Sequence, residues 1–290
     1  MKHFSLSYLF LLTALYPSAI YSMDIPDDFR ELECDIRLRV RPFEQEDPTT
    51  RSAGELVPYT HPLIPLKKGV SNNWCGYVAA KNLASIVPNS VTAVSGSWVV
   101  PTVSAPSTHN LSDTYSSLWI GIDGYNNATV EQIGTAHEWH NGKAVHYAWF
   151  EMYPNAAFEI TGFPVIPGDA ISASIEYKGN NIFLMTISNT TRKVYTTIPT
   201  AYTTSTSAVR ACAEWIAEAP YMKTILPLAH FSPIAFSKCT ATIGGASGGI
   251  NNPNWKSDNI AMKSAIMVPK AIASPLQANG QSFNVMWLHE

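Results

Sequence analysis

The chain has 290 residues, of which 46% are hydrophobic and 14% charged, and a formal net charge of −3. That length buries one large core or two small ones, and the charge balance gives no electrostatic reason to expect nucleic acid or a membrane surface as a partner. Abundant Tyr, Trp, Pro and Gly (13, 8, 20 and 16) favour strands and turns over helices.

In chain order, Lys2 and His3 precede an apolar run, Tyr8 to Leu15, and the small residues Ser18, Ala19 and Ser22 follow. A charged start, a short apolar core and a small-residue exit predict a signal peptide over residues 1–22, and so a secreted protein, extracellular or periplasmic. The run is too short for a transmembrane helix; the alternative is a buried N-terminal strand. Between Met23 and Leu56 lie ten of the 22 acids and five of the 19 bases. Residues 23–68 therefore read as a polar pro-segment ahead of a weakly charged domain, 69–290, with a retained solvated arm as the alternative. Lys67-Lys68 marks the expected cleavage region. Ionised carboxylates of this segment are expected to hold it over the domain near neutrality and to release it in acid. The domain itself has 12 acids and 13 bases from Val57 onward, few ion pairs to lose at low pH.

The domain reads as β throughout. Val94 to Val100 ends at Pro101, and Ser117 to Asp123 ends at a glycine. Along Ala144 to Tyr153 the alternation puts Tyr147, Trp149, Glu151 and Tyr153 on one face. Asp169 to Tyr177, the turn Lys178 to Asn181 and Ile182 to Ser188 form a hairpin, and Lys193 to Ile198 follows another turn. Ala211 to Ala219 suits a helix on propensity, but its context argues for a strand. Such spacing predicts an all-β, two-sheet antiparallel sandwich. Gly244 to Gly249 is expected to be a flexible loop. Cys34, Cys75, Cys212 and Cys239 contain no CxxC, which disfavours a zinc ribbon, and an exported chain could pair them in three ways.

Several ordered stretches carry a resemblance. They are Ser71 to Tyr77, Gly96 to Pro101, Trp119 to Gly124, Glu131 to Gly134, Tyr147 to Pro154, Gly168-Asp169 and Ala213 to Glu218. Together they resemble the glutamic peptidases first known from fungi, the eqolisins. The resemblance implies a sandwich of two curved sheets (a concanavalin A-like or jelly-roll type) whose concave face holds a polypeptide substrate. It implies a catalytic dyad of Gln132 and Glu218, with Trp119, Asp123 and Glu151 lining the cleft, no metal or cofactor, and a monomer.

The chemistry suits those side chains. A carboxylate titrating in the ordinary range can take a proton from water in mild acid and return it to the leaving amine. A glutamine amide is a donor that does not titrate and can hold an oxyanion at any pH. Spacing alone does not separate Glu218 from Glu214, which shares its strand face. His137-Glu-Trp-His140 and His146 stand where fungal members carry acids; HExxH is absent, and HxxH on a strand splits its rings across faces. The competing readings are a sandwich that binds carbohydrate or peptide without cleaving it, and a glycoside hydrolase using Glu151 and Glu218.

Overall fold

A strand with one apolar face and one polar face must lie against another layer, but here both faces of the central strands are buried. Trp74–Ala80, Thr114–Ile122 and Cys212–Glu218 are buried at every residue. The reason appears in the computed structural model, which describes residues 25–43, 55–58, 60–106, 113–202 and 206–290. The expected signal peptide and several charges of the expected pro-segment, among them Glu46 and Asp47, lie outside the described residues.

One sheet runs antiparallel through Asp35–Leu38, Phe158–Thr161, Lys143–Tyr153, Val130–His140, Thr114–Ile122, Cys212–Glu218, Trp74–Ala80 and the start of Lys256–Lys263. The second runs through Val194–Ala201, Ile182–Asn189, Ala170–Gly179, Val91–Val99, Ile234–Ile243, Phe283–Trp287 and Pro269–Ala273 to the end of Lys256–Lys263. Lys256–Lys263 thus belongs to both sheets and joins them along one side. The described residues contain no helix, so the two-sheet sandwich stands, and Cys212–Glu218 is the strand its context required. No helix is long and apolar enough to cross a membrane among them.

The period of two sorts each strand. Between the sheets pack Trp98, Ile120, Ile133, Phe150, Ile175, Phe183, Trp215 and Phe236. A second cluster, with Trp74, Val78, Trp119, Tyr147, Trp149 and Ile216, covers the outer, concave face of the first sheet.

One expectation gains detail and another changes. The charge-dense N-terminal stretch, expected to lie over the domain, also adds strands to it: Arg30–Glu31 pairs parallel beside Val194 and Tyr195 on one sheet, and Asp35–Leu38 pairs antiparallel beside Phe158–Thr161 on the other. Edge strands can do this because their polar side chains remain exposed. Gly244 to Gly249 is a hairpin, with Gly244 and Gly245 at φ +62° and +81° turning Ile234–Ile243 into Ala246–Gly249. The four cysteines are free thiols, with Cys75, Cys212 and Cys239 buried.

Candidate active site

Register places the candidate residues on one concave face. Glu218 pairs with Ser117 and Trp74, Trp119 pairs with Gly134 and Ile216, and Gln132 pairs with Gly121 and Glu151. Alternation then puts Trp74, Ser117, Trp119, Gln132, Tyr147, Trp149, Glu151, Glu214 and Glu218 on the same side of the sheet. Gly121 leaves the floor open: a Cβ there would stand 2.8 Å from the Trp119 ring.

Glu218 is fully buried, and donors converge on it. Trp119 Nε1 donates to Oε2 at 2.7 Å, and Asn73 Nδ2 to Oε1 at 3.2 Å. Burial pushes its pKa well above the carboxylate range, opposed by Trp119, Trp74, the Arg39 charge and Asn73. Gln132 Nε2 donates to Glu151 Oε2 at 2.5 Å. Burial, and then the Glu218 charge, raise Glu151 as well. Glu151 therefore lies close to both Gln132 and Glu218 and fixes the amide of the former.

Asp123 stands apart. Its carboxylate accepts from the backbone N–H of Arg210 and of Ala211, from Asn127 Nδ2 at 2.9 Å and from Thr129 Oγ1 at 3.1 Å. All of its oxygens are spent on holding the turn after Thr114–Ile122, where Asp123 itself sits at φ +73°. Glu214 lies four residues along the strand from Glu218; burial raises its pKa, opposed by the Cys212 thiol and reinforced by the Asp123 and Glu131 charges. Of Glu214 and Glu218, it is Glu218 that has indole and amide donors arranged around it.

Two residues without any local signal in the sequence complete the site. Arg39 and His61, both fully buried, enter the cleft from the N-terminal segment. His61 Nδ1 lies 2.8 Å from Glu218 Oε2, and His61 Nε2 lies 2.7 Å from Arg39 Nη1. A guanidinium only donates, so His61 Nε2 accepts, the ring proton sits on Nδ1, and Nδ1–H donates to Glu218. Burial first, and then Arg39, hold His61 well below the ordinary imidazole range. Arg39 also donates to Tyr147 at 2.8 Å, reaches Glu138 at 3.4 Å, and lies 5.1 Å from the Trp149 ring. The contacts that close the cleft therefore come from bases of the N-terminal segment. The acids described there lie on the surface, as in the Asp28–Lys193 pair, where both side chains are more than half exposed. Of the ionised carboxylates expected to hold the segment down, the described residues show two surface contacts with the domain, Asp28 with Lys193 and Glu31 with the Tyr195 hydroxyl.

Asn73 was within reach of the sequence, inside the Ser71 to Tyr77 stretch. The histidines lie elsewhere. His137 faces the space between the sheets, its Nε2 2.9 Å from Thr135 Oγ1 and its Nδ1 2.9 Å from His146 Nδ1, while His140 pairs with Asp113 at 2.7 Å. Among the described residues no three His, Cys, Asp or Glu side chains are grouped to hold a metal ion.

The Peptidase A4 family model matches residues 72–268. Aspergillopepsin-2 of Aspergillus niger is 27% identical over 196 residues, 62% of this chain and 67% of its own length. Scytalidopepsin B of Scytalidium lignicola is 27% identical over 158 residues, 51% of this chain and 60% of its own, so the chain spans only part of either relative. In fold, a crystal structure of scytalido-glutamic peptidase with a transition state analog inhibitor has a TM-score of 0.61 at 21% identity, covering 75% of this chain and 98% of that one. The crystal structure of aspergilloglutamic peptidase from Aspergillus niger has a TM-score of 0.54 at 22% identity, covering 60% and 99%.

Proposed function

The chain belongs to the Peptidase A4 family, a family of glutamic endopeptidases, and from that premise we propose that it is a secreted, acid-acting endopeptidase made as a latent precursor, with Gln132 and Glu218 as its dyad. The observation that carries the reading is the fully buried Glu218 with indole and amide donors converging on it.

With the cleft open, Glu218 takes a proton from water while the water oxygen bonds to the carbonyl carbon of the substrate. Negative charge collects on the carbonyl oxygen. The Gln132 amide has two N–H groups; one is held by Glu151, and the other is left for the oxyanion. Glu218 then returns its proton to the amine nitrogen as the C–N bond breaks. Trp119 and Asn73 keep the Glu218 carboxylate oriented through both transfers, and Trp119, Trp149 and Glu151 form the wall against which a polypeptide lies. Asp123 supports that wall through its turn.

Latency follows from occupancy. His61 sits on the carboxylate that must bind water, and Arg39 ties His61 to Glu138 and Tyr147 on the cleft floor. Residues 23–68 act as the plug, behind a signal peptide over residues 1–22. The test is digestion of a denatured protein from pH 3 to 7 with the fragments sequenced. Acid-dependent cleavage that Glu218→Gln abolishes supports the proposal, and a folded, processed chain that cuts nothing at any pH overturns it.

A further inference from the structure

An unused acceptor lies beside the turn that joins Pro65–Lys67 to Val70–Ser71. Lys68 is exposed at that turn and Gly69 follows at φ +68°. The Gly69 carbonyl accepts from Ala261 N–H at 3.0 Å, which seats its backbone on Lys256–Lys263. A Cβ on Gly69 would stand 3.7 and 3.9 Å from the two carboxylate oxygens of Asp258 and 3.1 Å from the Asn259 carbonyl. Asp258 Oδ1 accepts from Asn259 N–H at 3.0 Å, but Oδ2 is buried and has no hydrogen-bond partner among the described residues. Tyr125 closes the third side: its hydroxyl contacts Asp258 and meets the Gly69 N–H, and burial and then the Asp258 charge raise its pKa. A buried carboxylate oxygen with no donor nearer than the Tyr125 hydroxyl is an under-satisfied acceptor, and here one lies beside Gly69, next to an exposed lysine.

We propose that cutting the Lys68–Gly69 bond makes Gly69 the first residue of the mature enzyme, and that its new α-ammonium docks on Asp258 Oδ2 and Tyr125. The proposal rests on the reading of residues 23–68 as a removable plug. In the cut, water adds across the amide: the hydroxyl goes to the Lys68 carbonyl carbon to leave a carboxylate, and the nitrogen takes up protons to become the ammonium. The catalyst is the chain's own endopeptidase activity or a second peptidase that accepts lysine before the bond.

The docking has a task to perform. In the uncut chain Val70–Ser71 is held by its pairing with Pro65–Lys67. Ser71 Oγ donates to the Ile64 carbonyl, Asn73 Nδ2 to the Pro62 carbonyl, and Ile64 N–H to Asn73 Oδ1. All of these leave with the plug, and Asn73 is a residue that orients Glu218. An ammonium brings three donors where the amide had one, and a full charge opposite a carboxylate. It re-anchors the segment that carries Asn73, so that removing the plug does not loosen the carboxylate it uncovers. Glycine suits the position because φ there is left-handed and a side chain would crowd the Asn259 carbonyl.

The test uses the full-length chain, incubated at pH 4 and separately with a lysine-specific peptidase, followed by N-terminal sequencing. The terminal amine is then titrated by competitive acetylation across pH, read by mass spectrometry of the N-terminal peptide. The expected product starts at Gly69, and its amine titrates roughly one unit above the ordinary α-amino range. Asp258→Asn returns the amine to that range and lowers kcat with little change in KM; Tyr125→Phe, which leaves the carboxylate in place, gives an intermediate shift. A mature chain beginning elsewhere, or an amine with an ordinary titration in the wild type, overturns the proposal. A product with a shifted amine that digests nothing leaves the docking standing and counts against the peptidase reading instead.

Discussion

The imidazole of His61 lies flat on the indole of Trp149, ring centroids 4.1 Å apart and planes 10° from parallel, while its Nδ1 faces Glu218. One ring from the N-terminal segment thus covers an aromatic wall and blocks a carboxylate at once. Its protonation state decides whether it can stay. Adding a proton at Nε2 would set an N–H and a positive charge against the Arg39 guanidinium 2.7 Å away.

The first prediction follows from that contact. An imidazole that must remain neutral in the closed cleft, held low by burial and by Arg39, stabilises that form fully above the ordinary imidazole value of about 6.5 and progressively less as pH falls from there. Glu218 and Glu151, raised by burial, act in the opposite direction, since their protonated forms fit the closed cleft. Tyr147, Glu138 and Arg39, which also face the ring's surroundings, are common to both chains compared here. His61→Gln keeps a donor and an acceptor but cannot be protonated. Shifted from pH 7 to pH 4.5, the variant is expected to activate at least ten-fold more slowly than the wild type, followed by appearance of activity. Equal rates would remove His61 as the acid-sensitive group.

Arg39 is fully buried and paired with Glu138. Removing one member of a buried ion pair costs on the order of 3–5 kcal/mol because the other charge loses its counter-ion. Arg39→Met should therefore lower the melting temperature of the uncut chain and give cleavage at pH 7, where the wild type is expected to be silent. The processed enzyme, having lost residue 39 in either case, should melt as the wild type does; a lowered value there would contradict the assignment.

The dyad gives the third expectation. Glu218→Gln should lose activity to background in the processed enzyme, with its circular dichroism unchanged. Gln132→Ala should lose a factor of roughly 10² to 10³ in kcat, the usual effect of deleting one oxyanion donor. Retained turnover in either folded variant would shift the chemistry to another pair.

Prolonged chelation is expected to leave activity unchanged. His137 is engaged by Thr135 and His146 between the sheets, and His140 by Asp113 at an edge. Loss of activity on chelation, restored by added zinc, would be the contrary result.

Much of the fold was legible because period-two alternation and turn residues are local. The strand Lys143–Tyr153 follows its alternating run, and Cys212–Glu218 forms a strand against its helical propensity because it is flanked on both sides and covered on both faces. Gln132 and Glu218 were legible only through the order of the surrounding stretches; their shared face depends on register across three strands, which no local spacing records. Asp123 matched a motif, yet hydrogen bonding commits it to a turn. Arg39 and His61 were not legible at all. Each is a lone polar residue in a charged or proline-rich stretch, and apart from the contact between the two, the side chains they bond lie between 78 and 157 residues away in sequence.

The N-terminal segment does more than occupy the cleft, for it lends a border to each layer of the sandwich through Arg30–Glu31 and Asp35–Leu38. Its removal, as proposed above, would uncover two rows of unpaired amides and carbonyls, the kind of template on which chains stack. Both rows are poor templates. Phe158–Thr161 is four residues long and carries Glu159, and Val194–Ala201 is interrupted by Pro199, which has no N–H to offer. The proposed maturation would thus open the borders of both layers without making either one adhesive, and a peptidase working among unfolded chains would keep its flanks closed to them.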